Sequence, residues 1–191
     1  MEQRDEELIA DYQQGNPKAL EMLYERYKEP ILNFALRILG NRADAEDVTA
    51  DVFGVLIVRR DAYQPKAKFS TWLYTVTRNA CISKIRKHKN VFSLWFQGQN
   101  GEYDEIPVPD KQPSVSMRLA DQETGEQIRK AIEKLPDSQK EALILREYHG
   151  MSYDEISQVL GCSLENVKIL IFRGRERLRR ELTSFLTEEN A

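Results

Sequence analysis

The sequence predicts an all-α protein built as two helical domains joined by a flexible linker. Three observations carry that prediction. Apolar residues recur at helical spacing on both sides of the chain's middle, S-x-x-E boxes and Gly or Asn stops punctuate the runs, and a Pro- and Gly-interrupted acidic stretch separates them. With 191 residues, 41% of them hydrophobic, the chain has material for two small cores. The expected division is a first domain over 1–89, a linker over 90–123 and a second domain over 124–191.

Residues 6–39 read as helical, with Leu8, Ile9 and Tyr12 on one stripe and a break at Gly15, Asn16 and Pro17. Ala19, Leu20, Met22, Leu23, Tyr24 and Tyr27 begin the next helix. Beyond Pro30 the run Ile31, Leu32, Phe34, Ala35, Ile38 and Leu39 keeps the pattern until Gly40 and Asn41. Asp44 is expected to cap a helix reading AEDVTADVFGVLIVRR. Glu46, Asp47 and Asp51 fall in its first turns, where the helix dipole favours carboxylates. The same three residues equally make a docking surface for a basic partner. Residues 59–68 form a loop around Pro65.

The next helix, FSTWLYTVTRNACISKIRKHK, combines Phe69, Trp72 and Tyr74 with a basic C-terminal half. Aromatic planes beside cations suit unpaired bases, because rings stack on them and charge meets their backbone. A core position is the alternative for Phe69 and Trp72, and for Trp72 it is preferred. The net charge of −3 argues weakly against nucleic acid, but its distribution argues for it. Ala62 to Gly101 holds no Asp or Glu, while Lys66, Lys68, Arg78, Lys84, Arg86, Lys87 and Lys89 make it a block of +7. Residues 1–61 sum to −5, 102–165 to −7 and 166–191 to +2. Two separated basic surfaces on acidic bodies suggest two DNA contacts, plus surfaces reserved for protein.

In the linker, Gly98, Gly101, Pro107, Pro109 and Pro113 interrupt any helix, and Glu102, Asp104, Glu105 and Asp110 make it acidic. Val91, Phe92, Leu94, Trp95 and Phe96 are too apolar for a plain spacer and are expected to pack back or dock on a partner. Residues 126–134 read as helix and Pro136 as a boundary. Ser138 with Glu141 forms an S-x-x-E box opening a helix through Ala142, Leu143, Leu145 and Tyr148.

Gly150 to Arg180 is the most informative stretch. Ser152 with Glu155 makes a capping box; Tyr153, Ile156, Val159 and Leu160 form a stripe, Gly161 stops the helix, and Ser163 caps the next one. In that last helix Leu164, Val167, Ile171, Gly174, Leu178 and Leu182 share the packed side. The opposite side carries Asn166, Ile169, Arg173, Glu176, Arg177 and Arg180, flanked by Glu165, Lys168, Leu170, Phe172 and Arg175. A short turn between two capped helices, the second bearing cations, is a helix-turn-helix over 152–180. Such a second helix enters the major groove, its first turns reaching base edges and its later cations reaching phosphates.

Other classes find little support. The charged start has no apolar core of a signal peptide, and no stretch nears the roughly 18 apolar residues of a membrane span, so a cytoplasmic protein is expected. Cys81 and Cys162 lack CxxC or His-rich surroundings, which indicates neither metal nor disulfide. His88 and His149 have no Ser, Cys or paired carboxylate placed for activation, so neither an enzyme nor a cofactor is indicated.

Taken together, the chain resembles the extracytoplasmic-function, or group 4, sigma factors of bacterial RNA polymerase. YERYKEPILNFALRILGNRADAEDV and FSTWLYTVTRNACISKIRK resemble sigma region 2; Leu135–Pro136, GMSYDEISQVLGCS and VKILIFRGRERLR resemble region 4. The resemblance implies a transcription initiation factor without chemistry of its own. Leu39, Glu46, Asp47, Asp51 and Phe53 would bind the clamp helices of core polymerase. The loop from Asp61 to Lys68, with Lys66, Lys68, Phe69, Ser70, Thr71, Trp72 and Tyr74, would open the minus-ten element and hold a flipped base. Arg78, Asn79, Lys84, Arg86 and Lys87 would contact DNA there. Glu165, Asn166, Lys168, Ile169, Phe172, Arg173, Arg175 and Arg177 would read the minus-thirty-five element, and the early helices of the second domain would bind the beta-flap. An anti-sigma protein is a further implied partner.

The chain also departs from the family pattern. Ile169 and Leu170 stand where Ser-Arg is common after Val-Lys, so thymine methyls are expected to be read in place of guanine; Leu170 also fits a core position. Ser83 replaces a frequent Asp, and Ala50 and Gly54 replace bulkier or polar residues. A sigma-like mimic lacking promoter function and a LuxR-type regulator are the alternatives; the basic block disfavours the first and the first domain the second.

Overall fold

The computed structural model describes residues 3–96 and 127–188, with side chains placed over 3–88 and 127–183. Every regular element among the described residues is an α-helix. The chain divides into two units, Met1–Pro113 and Ser114–Ala191.

In the first unit α1 spans Asp5–Gln13, α2 Pro17–Leu39, α3 Arg42–Val58 and α4 Phe69–Phe96. Local chemistry sets the boundaries. The Asn16 side chain accepts from Lys18 N, Pro17 takes the first helical position, and Gly40 closes α2 at φ 70° with its N–H on Leu36 O. Pro30 sits inside α2 without ending it. A mid-helix proline costs about 3 kcal/mol, and the burial of Leu23, Ile31, Phe34 and Ala35 on the same helix offsets that cost. Leu8, Ile9, Leu56, Phe69 and Leu73 complete this core.

Two expectations fail in this unit. Asp44 does not cap α3; Asn41 does, its side-chain oxygen accepting from Asp44 N at 3.0 Å. Asn at that position takes the extended backbone a cap requires, which leaves Asp44 inside the first turn. The fourth helix does not stop at residue 89 either but runs to Phe96, through the first residues assigned to the linker. After Pro65 no Gly or Pro falls before Gly98, so no local breaker lies within the extension. The remaining linker residues, the acidic ones included, lie outside the described residues, as do the side chains of Val91, Phe92, Leu94, Trp95 and Phe96 and the end of the C-terminal TSFLTEENA.

In the second unit α5 covers 127–133, α6 Asp137–Glu147, α7 Tyr153–Leu160 and α8 Leu164–Glu188. Ala142, Ile144, Leu145, Ile156, Val167 and Ile171 are buried between α6, α7 and α8. The box expected at Ser138 is absent. Pro136 is the cap residue, so Ser138 is already inside the first turn, and Glu141 is buried rather than folded back. The box at Ser152 forms in full, with Glu155 N on Ser152 Oγ at 3.2 Å and Ser152 N on Glu155 Oε2 at 2.8 Å.

Candidate nucleic-acid interface

The helix-turn-helix is assembled by short-range bonds. Gly161 ends α7 at φ 65°, Cys162 N reaches Ser157 O at 3.1 Å, and Asn166 N takes Ser163 Oγ at 3.2 Å. Glycine is required at Gly161 because a side chain is strained in that left-handed conformation. On α8, Val167, Ile171 and Gly174 are buried, while Leu164, Leu170, Leu178 and Leu182 are half-buried. Glu165, Asn166, Lys168, Ile169, Phe172, Arg173, Arg175 and Arg177 are exposed on the same helix. Phe172 is 67% and Ile169 45% exposed, a large apolar surface for a helix whose other side is already packed.

Arg175 differs from its neighbours. Its guanidinium donates twice to Glu147 Oε1, at 2.6 and 3.2 Å, and this pairing raises its pKa. It ties α8 to the end of α6. Arg146 turns the other way, donating to Met151 O at 2.8 Å and lying 5.2 Å from the Tyr153 ring centre, which fixes the α6–α7 connection.

In the first unit the aromatic residues at the start of α4 form one packed cluster. Phe69 meets Tyr27, Tyr63 and Trp72 with ring centres 5.5 to 5.9 Å apart. Phe69, Thr71 and Tyr74 are buried, so the exposed role expected for them in base contact is not what the fold gives them. Tyr27 on α2 and Tyr63 in the loop cover Phe69, and Phe34 on α2 covers Tyr74. Trp72 and Ser70 are half-buried, and Lys66 and Lys68 are exposed. Burial raises the Tyr27 phenol well above its usual range, with Asp5 adding to the effect; Ser70 opposes it. Burial alone raises Tyr74 in the same direction.

Along α4, Asn79, Arg86 and Lys87 are exposed and Arg78 is half-buried. Lys84 is committed to α3, with Nζ 2.8 Å from Asp47 and 3.1 Å from Asp44, and His88 Nε2 lies 3.6 Å from the same Asp44. Among the residues expected to meet a protein partner, Glu46, Asp47 and Asp51 are exposed and Leu39 half-buried. Phe53 is buried, its ring edge-on to Tyr24 at 4.9 Å. Tyr24, the ring that covers it, is itself 42% exposed.

Sequence reasoning missed the part played by α1. Asp5 pairs with Arg26 and accepts from the Tyr27 hydroxyl, and Glu6 Oε1 accepts from Phe69 N at 3.3 Å, capping α4 from 63 residues away. Gln13 Nε2 donates to Arg60 O and Tyr63 O, both at 3.0 Å, and Tyr12 OH donates to Leu56 O at 3.0 Å. No local signal announces these bonds, since every partner is distant in sequence. Among the described residues no group of three or more His, Cys, Asp or Glu is placed to hold a metal ion, no helix is long and apolar enough to cross a membrane, and Cys81 and Cys162 are free thiols.

Two family models match the chain, Sigma-70 region 2 over residues 23–91 and Sigma-70, region 4 over residues 125–178. The ECF RNA polymerase sigma factor SigW of Bacillus subtilis is 32% identical over 95% of this chain and 98% of its own. The RNA polymerase sigma-H factor of Pseudomonas aeruginosa is 27% identical over 98% of each chain. Among solved structures, CnrH in complex with the cytosolic domain of CnrY shares the fold at a TM-score of 0.68 and 24% identity, covering 94% of this chain and 97% of that one. The sigma factor RpoE bound to the anti-sigma factor NepR from Bartonella quintana does so at 0.67 and 24%, covering 87% and 98%. With regions 2 and 4 in order, two helical units and a full-length relative of this kind, the chain belongs to the ECF sigma factors of the sigma-70 family and is a promoter-recognising RNA polymerase sigma factor.

Proposed function

We propose that the two units divide promoter recognition. The second unit reads the minus-thirty-five element through α8, and the first opens the minus-ten element with the loop from Asp61 to Lys68 and the start of α4. The observation that carries this reading is the exposed face of α8, where Asn166, Lys168, Ile169, Phe172, Arg173 and Arg177 all face solvent while Val167, Ile171 and Gly174 are buried. Polar and cationic residues around an apolar pair fit a groove that offers both thymine methyls and phosphates. Ile169 supplies the apolar contact; half-buried Leu170 braces the helix.

In the first unit exposed Lys66, Arg86 and Lys87 supply charge for the DNA backbone, and half-buried Trp72 lies beside the loop that receives an extruded base. Phe69, Thr71 and Tyr74 hold that loop's neighbour in place from inside the core. The protein lowers the cost of opening by binding the base out of the stack; the polymerase makes the phosphodiester bonds. Glu46, Asp51 and Tyr24, with Leu39, present an acidic and apolar surface for the clamp helices of core polymerase. The anti-sigma complex of the RpoE structure supports an anti-sigma partner here too.

Run-off transcription with bacterial core polymerase, with and without this protein, on promoters varied in both elements, tests the reading. Transcripts that depend on the protein and share two spaced elements are expected. Binding to core without any transcript would instead identify a mimic, and an upstream element with the family's usual guanine preference would remove the role given to Ile169.

A further inference from the structure

We propose that Gln13 is a positioning residue for the melting loop, holding its curvature before DNA arrives. The inference rests on the reading that residues 61–68 receive the extruded base. A loop of ten residues between α3 and α4 has no regular backbone pairing of its own. Four of its carbonyls are met within the loop, Arg59 O by Ala62 N, Asp61 O by Gln64 Nε2, Gln64 O by Lys66 N and Ala67 O by the Tyr63 hydroxyl, whereas Arg60 O and Tyr63 O take their partners from outside it. One carboxamide on α1 supplies two, because Gln13 Nε2 carries two hydrogens and spends one on Arg60 O and the other on Tyr63 O, each at 3.0 Å.

The surrounding bonds make α1 a rigid base for that hold. Tyr12 OH fixes the end of α3 through Leu56 O, and Arg60 lies 5.4 Å from the Tyr12 ring centre. Glu6 fixes the loop's other end through Phe69 N. The loop is thus gripped at its entry, at its first bend and at its exit by one short helix. Gln13 itself is exposed and contributes little to the core. Its two bonds act on loop shape, where preorganisation lowers the cost of capturing a base.

Gln13→Glu keeps the size and removes both donors, setting a carboxylate against two carbonyl oxygens. In the full chain with core polymerase, transcription from an intact duplex promoter is expected to fall about tenfold, the scale of two lost neutral hydrogen bonds. The decisive templates carry an abasic site at each minus-ten position in turn. At the position whose base the loop holds, wild type and Gln13→Glu should become equal, because no base remains to be held. Affinity for core should match wild type, thermal unfolding should fall only by the few degrees that two lost surface hydrogen bonds cost, and Gln13→Ala should behave like Gln13→Glu.

A uniform loss on every template would overturn the proposal by making Gln13 merely structural. So would wild-type behaviour of Gln13→Glu while a Gln64→Ala, Lys66→Ala double variant of the loop shows the position-specific loss; the loop reading would then survive alone. If the loop variant also shows no position-specific loss, the loop reading falls and takes the role of Gln13 with it.

Discussion

Lys84 Nζ lies 2.8 Å from Asp47 Oδ2, so a cation expected on the DNA surface is held by a carboxylate expected on the polymerase surface. Hydrogen bonding to Asp47 and Asp44 raises the lysine's pKa above its ordinary value. A charge already matched inside the protein releases few counterions on meeting a phosphate. Lys84→Ala should therefore leave the slope of log affinity against log salt nearly unchanged in promoter binding by the holoenzyme. Arg86→Ala and Lys87→Ala should each reduce its magnitude by about 0.9. Replacing both Asp44 and Asp47 by alanine, which unpairs Lys84, should steepen it. Equal reductions for all three cations would place Lys84 on the DNA after all.

Arg173 and Arg175 make a second contrast two residues apart. Arg173 is exposed on α8, whereas Arg175 is engaged with Glu147 at 2.6 Å. Arg173→Ala should cost roughly 1 to 3 kcal/mol of promoter binding and relax selection at one base position. Arg175→Ala should leave base selection intact and loosen α8 from α6, visible as faster amide exchange at the end of α6. Binding selection on a randomised upstream element separates the two. A relaxed position in the Arg175 variant would reverse the assignment.

The helix-turn-helix was legible in the sequence because its signals are local. Ser152 with Glu155, Gly161 and Ser163 each act within four residues, and the buried side of α8 follows from spacing alone. Burial at the start of α4 was harder to read, since Phe69 and Tyr74 look equally apt for stacking on a base or on another ring. What decides between them is Tyr27, Tyr63 and Phe34, all brought in by the fold. The cap at Asn41 was readable in principle, as Asn caps as well as Asp and comes three residues earlier, directly after the Gly40 stop. The bonds of Glu6 and Gln13 were not, because their partners lie 47 to 63 residues away.

Alkaline pH should expose the buried phenols. Tyr27 and Tyr74 have folded-state pKa values raised above the unfolded value near 10, chiefly by burial. Their contribution is fully present below pH about 10 and is lost as pH rises toward the folded values, because the unfolded chain then sheds protons that the folded chain keeps. The melting temperature of the first unit should fall steadily above pH about 10. Tyrosinate absorbance should appear in two stages, the late one coinciding with unfolding. Tyr74→Phe should flatten the fall; an unchanged slope would mean that burial of this phenol does not control it.

Two helical glycines should respond to alanine with opposite signs. Neither has a positive φ, so the difference comes from their neighbours. At Gly54, on α3, an added Cβ meets nothing within 4 Å. Gly54→Ala should stabilise the first unit by about 1 kcal/mol, the helix-propensity gain alone. At Gly174, on α8, the same Cβ would sit 2.7 Å from Leu143 Cδ1 and 3.1 Å from its Cγ. Leu143 is buried, so it cannot swing clear into solvent. Overpacking of this kind costs about 1 to 3 kcal/mol, against the same propensity gain of about 1. The net loss should be on the order of 1 kcal/mol in the second unit, and Gly174→Val should lose more. Amide exchange under native conditions can assign each change to its own unit, with α3 better protected in one variant and α6 less protected in the other. Because the same glycine sets how closely α8 lies on α6, Gly174→Ala should also weaken upstream-element binding without altering which bases are preferred. A stabilised Gly174→Ala would show that Leu143 finds another rotamer, and that helix depth here is set by the remaining buried side chains.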